Sequence, residues 1–145
     1  MKFILIILLF TNLLFSNVKW SYNYDEALKN AQMNHKRIYM LIVSDSCGWC
    51  RKFKKLTLSD KLVLKRLSEK YELLLLNRNN DFIPKKFKTS PIPRYYFLTS
   101  NGKIVFPVVG YRDVESFNKF LDDVEKRYKR IERWDSYKQK KHHQQ

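Results

Sequence analysis

The stretch Ser44-Asp45-Ser46-Cys47-Gly48-Trp49-Cys50-Arg51-Lys52 decides the interpretation of this chain, and it contains both of its cysteines. It directly follows the apolar run Ile38–Val43, so a strand is predicted to lead into a helix at the first cysteine. A Cys-x-x-Cys pair in that position is typical of a dithiol–disulfide exchange site. Residues at positions i and i+3 share one helix face, which lets the two sulfurs bond without backbone movement.

The two cysteines have different predicted roles. Cys47 lies at the helix N-terminus, where free N–H groups favour the thiolate, and Cys50 lies one turn inside, where it resolves a mixed disulfide. A structural disulfide is an alternative, although so short a loop contributes little stability. Half of a zinc site would need two more ligands, and His35, His142 and His143 have no supporting spacing. We therefore expect a redox pair, no metal site and no cofactor.

The N-terminus has the pattern of a secretory signal peptide. Lys2 is followed by an unbroken apolar run, Phe3–Phe10, and a small residue follows at Ser16. We assign residues 1–16 to the signal peptide; the alternative is an uncleaved membrane anchor, although the run is short for a full span. Either assignment predicts a periplasmic or otherwise exported protein, in a compartment where disulfides persist or are handled by dedicated enzymes.

The chain is strongly basic, with a formal net charge of +15. The Lys and Arg residues are spread through every segment, so we expect no nucleic-acid partner. The most concentrated basic stretch is the C-terminal one, in which residues 134–145 lack the apolar period that ends at Ile131. We predict that this tail is solvated and disordered, and that residues 17–133 form one domain.

Hydrophobic periodicity predicts an alternation of helices and strands. Helices are expected from Asn23 through about Asn34, from Cys47 to about Leu58 with Phe53 and Leu56 facing inward, after Asp60, and along the stripe from Val114 to Ile131. Strands are expected at Arg37–Ser44, Leu73–Leu76, Tyr95–Thr99 and Lys103–Val109, the last two joined by an Asn101-Gly102 turn.

This order resembles the thioredoxin fold, an α/β fold with a central four-stranded mixed sheet flanked by helices. The resemblance extends from Tyr22 to Arg130 and depends on the cysteine motif, on Ile92-Pro93 before the third strand, and on the hairpin turn with Gly110 after it. Within the superfamily, residues 57–63 are similar to secreted thioredoxin-like proteins. That subgroup is similar to the C-terminal periplasmic domain of the transmembrane thiol:disulfide interchange reductase.

The resemblance implies a substrate-binding role for two residues, and a third candidate follows from its position. Pro93 corresponds to the family's cis-proline, which lies against the cysteine pair, and the backbone of Ile92 pairs with an incoming peptide. The alternative is that Pro91 and Pro93 only punctuate a loop. Trp49, between the cysteines, is expected to be partly exposed, either as a platform for partner peptides or as a shield over Cys50.

Three departures from the thioredoxin pattern affect what the resemblance implies. The buried acid that thioredoxins place six residues before the first cysteine is Leu41 here, so another group or water must assist proton transfer. The tryptophan before the first cysteine is Ser46, and the usual Gly-Pro insert is Gly-Trp, similar to the Gly-aromatic pairs of periplasmic isomerases. Redox potential and substrate preference therefore do not transfer from thioredoxin.

We expect an exported thiol–disulfide oxidoreductase that uses its Cys-Gly-Trp-Cys couple to reduce or repair disulfides in envelope proteins. Its expected partners are cysteine-containing exported proteins and a redox partner protein that recharges it, with a membrane redox donor among the candidates. Two alternatives stay open: a disulfide isomerase, and a non-enzymatic binding module in which the cysteines form a static bridge.

Overall fold

The computed structural model describes residues 18–142 and has one mixed sheet of five strands with helices on both faces. The elements in chain order are β1 Trp20–Ser21, α1 Tyr24–Met33, β2 Arg37–Val43, α2 Gly48–Lys52, a π-helix Phe53–Thr57, α3 Lys61–Lys70, β3 Tyr71–Asn77, β4 Arg94–Leu98, β5 Ile104–Val109 and α4 Val114–His142. This architecture confirms the predicted thioredoxin fold. The predicted signal peptide, residues 1–16, lies outside the described residues.

The sheet has one strand more than the four that we predicted. The strand order is β1-β3-β2-β4-β5, with β1 and β2 parallel to β3, and β4 antiparallel to both β2 and β5. The additional strand β1 is only two residues long and pairs Trp20 with Leu73 at the edge of the sheet. So short a segment has no periodicity for a sequence pattern to reveal.

Strand β2 lies at the centre of the sheet and separates two cores. Because side chains alternate between the faces of a strand, Tyr39, Leu41 and Val43 pack into the larger core with the cysteine helix, α3 and α4. Ile38, Met40 and Ile42 pack into the other core, against α1. Burial on both faces explains why this strand is a continuous apolar run in the sequence.

The cysteine helix widens after its first turns. The amide of Leu58 donates to the carbonyl of Phe53 at 3.0 Å, an i to i+5 bond that defines the π-helix. Phe53 is buried as predicted, but the inward position predicted for Leu56 is wrong, because this side chain is 49% exposed. The wide turn buries Thr57 in its place.

Helix α4 packs on the sheet by the predicted stripe and then continues. Phe117, Leu121, Val124 and Tyr128 are buried. The helix extends to His142, where the sequence had suggested disorder from Trp134 onward. No Gly or Pro interrupts this stretch, and its Lys, Arg and Gln residues are good helix formers, so the helix persists without core contacts. Within residues 18–142, no helix is long and apolar enough to cross a membrane.

Candidate functional site

Cys47 and Cys50 form a disulfide at the start of α2, with their Cα atoms 5.2 Å apart. Cys47 is the N-cap residue of this helix, and its Sγ accepts a hydrogen bond from the amide of Cys50 at 3.1 Å. Cys50 is only 1% exposed, whereas Cys47 remains partly accessible. After reduction, the same amide and the helix terminus would stabilise a thiolate on Cys47, so the accessible sulfur is also the activated one.

The loop before the first cysteine is held on both sides. The amide of Cys47 donates to the carbonyl of Ser44 at 3.2 Å, and the side chain of Asn77 donates to the Asp45 carboxylate at 2.7 Å. Arg51 turns back across the loop and donates to the carbonyl of Asp45 at 2.9 Å. Its guanidinium therefore adds positive charge beside the cysteine pair, where it favours the thiolate.

A second aromatic residue lies beside Trp49. The Trp49 side chain is 58% exposed, and its ring centroid is 5.7 Å from that of Tyr111. The Lys52 ammonium lies over both rings, 5.0 Å from the Trp49 centroid and 4.9 Å from that of Tyr111. Tyr111 is not among the predicted site residues, and the only signal for it in the sequence is its position directly after Gly110, which follows β5. The indole of Trp49 is thus exposed to solvent and packs against Tyr111 and Lys52.

The predicted cis bond is present between Ile92 and Pro93, and a second, which we did not predict, precedes Pro91. Pro93 is buried, and its carbonyl accepts from the amide of Gly110 at 2.8 Å. Ile92 is partly exposed and, like Cys47, packs against the larger core. Within residues 18–142 its own amide and carbonyl form no backbone hydrogen bond, so they are free to pair with an added strand.

The surroundings of Cys50 below the site are apolar. Leu41 is fully buried in the same core as Cys50 and lies on the central strand β2, as expected for the position at which thioredoxins have a buried acid. A recess of about 200 Å³ reaches Leu41 and is lined also by Trp20, Tyr22, Lys54, Leu58 and Leu75. None of the described residues that line it carries a carboxylate. Among the described residues, no group of three or more His, Cys, Asp or Glu side chains could hold a metal ion.

Two further residues support the site from below. Tyr95 stacks on Phe53 with a centroid distance of 5.3 Å, and its hydroxyl accepts from the Arg112 guanidinium at 2.7 Å. Burial raises the pKa of Tyr95 to about 12 despite the opposing charge of Arg112, so the hydroxyl stays neutral. The buried Thr57 hydroxyl donates to the carbonyl of Arg112 at 2.6 Å, which joins the π-helix to the loop after β5.

Comparisons with known proteins agree with this geometry. A family model described as a thioredoxin-like domain matches residues 24–125. Among solved structures, a DsbH oxidoreductase is 18% identical, with a TM-score of 0.61 over 79% of this chain and 86% of that one. A thioredoxin from Thermus thermophilus is 21% identical, with a TM-score of 0.61 over 74% and 85%. The oxidised C-terminal domain of Neisseria meningitidis DsbD is 18% identical, with a TM-score of 0.55 over 70% and 97%. No curated protein sequence matches the chain.

Proposed function

Because this chain belongs to the thioredoxin-like family, we propose that it is an exported thiol–disulfide oxidoreductase that reduces or repairs disulfides in other exported proteins. One observation carries the proposal. Cys47 is accessible and accepts a hydrogen bond on its sulfur, while its disulfide partner Cys50 is buried one turn inside the same helix. This is the division between attacking and resolving thiols that disulfide exchange requires.

The reaction begins with both cysteines reduced. The Cys47 thiolate attacks one sulfur of the partner's disulfide, which forms a mixed disulfide and releases the other partner sulfur as a thiolate. Cys50 then loses its proton and attacks the sulfur of Cys47, which releases the second partner sulfur. Two electrons have passed to the partner, whose two thiolates take up protons, and the domain holds its Cys47–Cys50 disulfide. A redox partner protein must reduce this disulfide before the next cycle.

The residues around the pair suggest how a partner is held. An extended peptide would pair with the free backbone groups of Ile92 while Pro93 shapes the floor beside the cysteines. The exposed Trp49 ring would cover apolar side chains that flank the partner's disulfide. The position below Cys50 that would carry a carboxylate is occupied by Leu41. The proton of the Cys50 thiol would therefore pass to the leaving thiolate or to water.

The proposed export and the proposed class of partner are supported by the sequence alone. Residues 1–16 have the charge and apolar pattern of a leader, which would place the domain in the periplasm or outside the cell. Its substrates there would be exported proteins with cysteines. Its electrons would come from another redox protein, with a membrane-embedded donor among the candidates.

Reduction of insulin by dithiothreitol tests the activity. The chain should accelerate it, and Cys47→Ser and Cys50→Ser should each abolish the acceleration. Reduced beforehand and mixed with insulin after dithiothreitol is removed, Cys50→Ser should also accumulate a mixed disulfide with the substrate, whereas the matched Cys47→Ser variant should not, because only Cys47 is accessible. Absence of acceleration by the unaltered chain would favour the non-enzymatic binding module. A mixed disulfide trapped through Cys50 would contradict the assigned roles.

Isomerase activity is the second candidate, and the exposed Trp49 favours it, because an isomerase must hold unfolded partners. Reactivation of scrambled ribonuclease separates the two activities. The reduction potential of the cysteine couple, measured against glutathione, provides a second criterion: thioredoxin lies at about −270 mV and protein disulfide isomerase at about −180 mV.

A further inference from the structure

The C-terminal part of α4 leaves the core and continues alone. Tyr128 is the last buried residue of the helix, Ile131 is half-buried, and every side chain described from residue 132 to 141 is exposed. Two of these are large aromatic side chains, Trp134 at 55% exposure and Tyr137 at 57%. Two neighbouring exposed rings of this size on a solvated helix indicate an interaction surface.

The charged side chains of this segment are sorted by helix face. At about 100° per residue, seven side chains fall within a sector of about 140°. We call this sector the basic aromatic face; it consists of Arg127, Arg130, Arg133, Trp134, Tyr137, Lys138 and Lys141. The two acids of the segment, Glu132 and Asp135, lie on the side that continues the buried stripe, and Glu132 pairs with Arg37 at 2.7 Å. Most of the basic aromatic face therefore points away from the domain, whereas Arg127, at its inner end, lies over the Phe106 ring of β5, 4.8 Å from the centroid.

The two rings support each other and are surrounded by cations. The Trp134 and Tyr137 rings stack with centroids 5.7 Å apart, and the Lys138 ammonium lies 5.4 Å from the Trp134 centroid. A groove beside Trp134 is lined also by Arg130 and by Lys103 of the β4–β5 hairpin. The face thus combines five cations on α4 with two rings that are apolar in body and polar at one end.

We propose that the basic aromatic face docks on the surface of an anionic lipid bilayer. Rings with one polar end favour the boundary between headgroups and acyl chains, and the long stems of Lys and Arg let their charges reach lipid phosphates. Beyond Arg127 this convex face of a single helix can lie along a membrane surface, and Lys103 of the β4–β5 hairpin adds a further cation at its edge. The core of a protein–protein interface is depleted of charged residues, whereas five of the seven residues of this face are cations, which favours the membrane surface.

Docking would also position the redox site. Helix α4 begins at Val114, close to the Trp49–Tyr111 pair, and Trp134 lies 20 residues further, which is about 30 Å along the helix. The first half of the same side mixes charges, with Asp122 and Asp123 beside Lys119, so the contact is confined to the second half. The cysteine pair lies near the opposite end of α4 from the anchoring rings and would remain open to soluble partners.

Tryptophan fluorescence of the full chain tests the proposal. A Trp20→Phe/Trp49→Phe variant leaves Trp134 as the only tryptophan, and circular dichroism and a melting curve show that it is folded. Its emission should shift to shorter wavelength with vesicles of phosphatidylcholine mixed with phosphatidylglycerol, but not with phosphatidylcholine alone, and high salt should reverse the shift. Because the readout is local to Trp134, insertion of the apolar N-terminal segment into either vesicle does not imitate it.

Removing three cations of the basic aromatic face tests the proposal quantitatively, through the strength of vesicle binding. Each cation near an anionic surface contributes about a fivefold factor in partitioning, so Arg130→Gln/Arg133→Gln/Lys138→Gln should weaken binding about a hundredfold. Glutamine preserves helix propensity, so the helix itself should persist.

A matched control removes three exposed charges elsewhere, as Lys29→Gln/Lys61→Gln/Lys65→Gln, and should weaken binding far less. The proposal is overturned if the Trp134 emission does not shift, if it shifts equally with neutral vesicles, or if the control triple loses as much binding as the face triple. An oligonucleotide that shifts the emission at lower phosphate concentration than the vesicles would also overturn it, in favour of a nucleic-acid surface.

Discussion

Replacing Leu41 with an acid tests whether the space below Cys50 excludes water. Thioredoxins keep a carboxylate at this position, whereas here Leu41 is fully buried on the central strand in the same core as Cys50. We compare Leu41→Asp with Leu41→Asn. The two side chains have almost the same shape, so the difference between the variants reports only the ionisation of the carboxyl group.

Both variants should fold, with a large loss of stability. Removing the buried isobutyl group of Leu41 costs about 1.5–3 kcal/mol. The polar group that replaces it is buried without a designed partner, which costs about 1–3 kcal/mol more. The combined loss of about 2.5–6 kcal/mol approaches the lower end of the about 5–15 kcal/mol by which native proteins are stable.

The two variants should then diverge as the pH rises. Burial should raise the folded-state pKa of the new aspartate to about 7–9, from about 3.9 in the unfolded chain. A raised folded-state pKa contributes stability below the unfolded pKa, and that contribution is lost as the pH rises toward the folded value. Relative to Leu41→Asn, the aspartate variant should lose about 1.4 kcal/mol per pH unit, or about 3 kcal/mol between pH 4 and pH 6.

Urea unfolding of both variants across this pH range measures the divergence, and insulin reduction by the folded fraction shows whether the new acid alters the pH profile of Cys50. Parallel stability curves would refute the reasoning. They would mean that the recess beside Leu41 hydrates the carboxylate, or that Lys54 reaches in to pair with it. In that case the missing acid would explain nothing about proton transfer from Cys50.

Three further predictions concern the rest of the domain. Partial burial pushes the pKa of Glu125 up, but hydrogen bonds from Lys70 and Tyr71 outweigh it, so the net pKa is lowered. Glu125→Gln should therefore lose about 1–3 kcal/mol at neutral pH, a loss that disappears as the pH falls through the lowered pKa; urea unfolding at both pH values checks this. Thr57→Val removes the buried hydrogen bond to the loop after β5 and should lower the free energy of unfolding by about 1–3 kcal/mol, with unchanged far-ultraviolet circular dichroism. Trp49→Ala should raise KM for insulin by up to about tenfold, while reduction of a small aliphatic disulfide changes little, because such a molecule has no apolar side chains to cover the exposed ring.

The parts of the fold that the sequence predicted are those with a strong local pattern. The run Arg37–Val43 is apolar because both faces of β2 are buried, and the stripe of α4 repeats over several turns. The wrong inward position for Leu56 has the opposite cause. A regular helical period continues through that residue, but the i to i+5 bond adds a residue to the turn, and no sequence pattern announces a π-helix.

The same distinction applies to the candidate site. The cysteine pair is itself a recognisable local motif, and Pro93 is assigned through the family resemblance. Both could therefore be named in advance. Tyr111 and Arg112 reach the site from the far end of β5, and their contacts with Trp49 and Tyr95 depend on how the sheet brings that loop back. Hydrophobic periodicity and secondary-structure propensity describe residues that are near one another along the chain. They do not reveal contacts between residues that are far apart in the sequence, such as Tyr111 and Trp49.

The loop at residues 110–113 makes the site a single unit, although none of its side chains takes part in the exchange. Its first residue donates to the carbonyl of Pro93, its second packs on Trp49, and its third accepts from the Thr57 hydroxyl. The cis-proline loop, the cysteine helix and the π-helix are therefore all held against the same three consecutive residues, Gly110, Tyr111 and Arg112. Because disulfide exchange requires three sulfurs in line, fixing the cis-proline loop relative to the cysteine helix would also fix the approach of a partner's sulfur, if the proposed peptide binding at Ile92 holds. A change in this loop should thus affect protein substrates more strongly than the reactivity of Cys47 toward a small alkylating reagent.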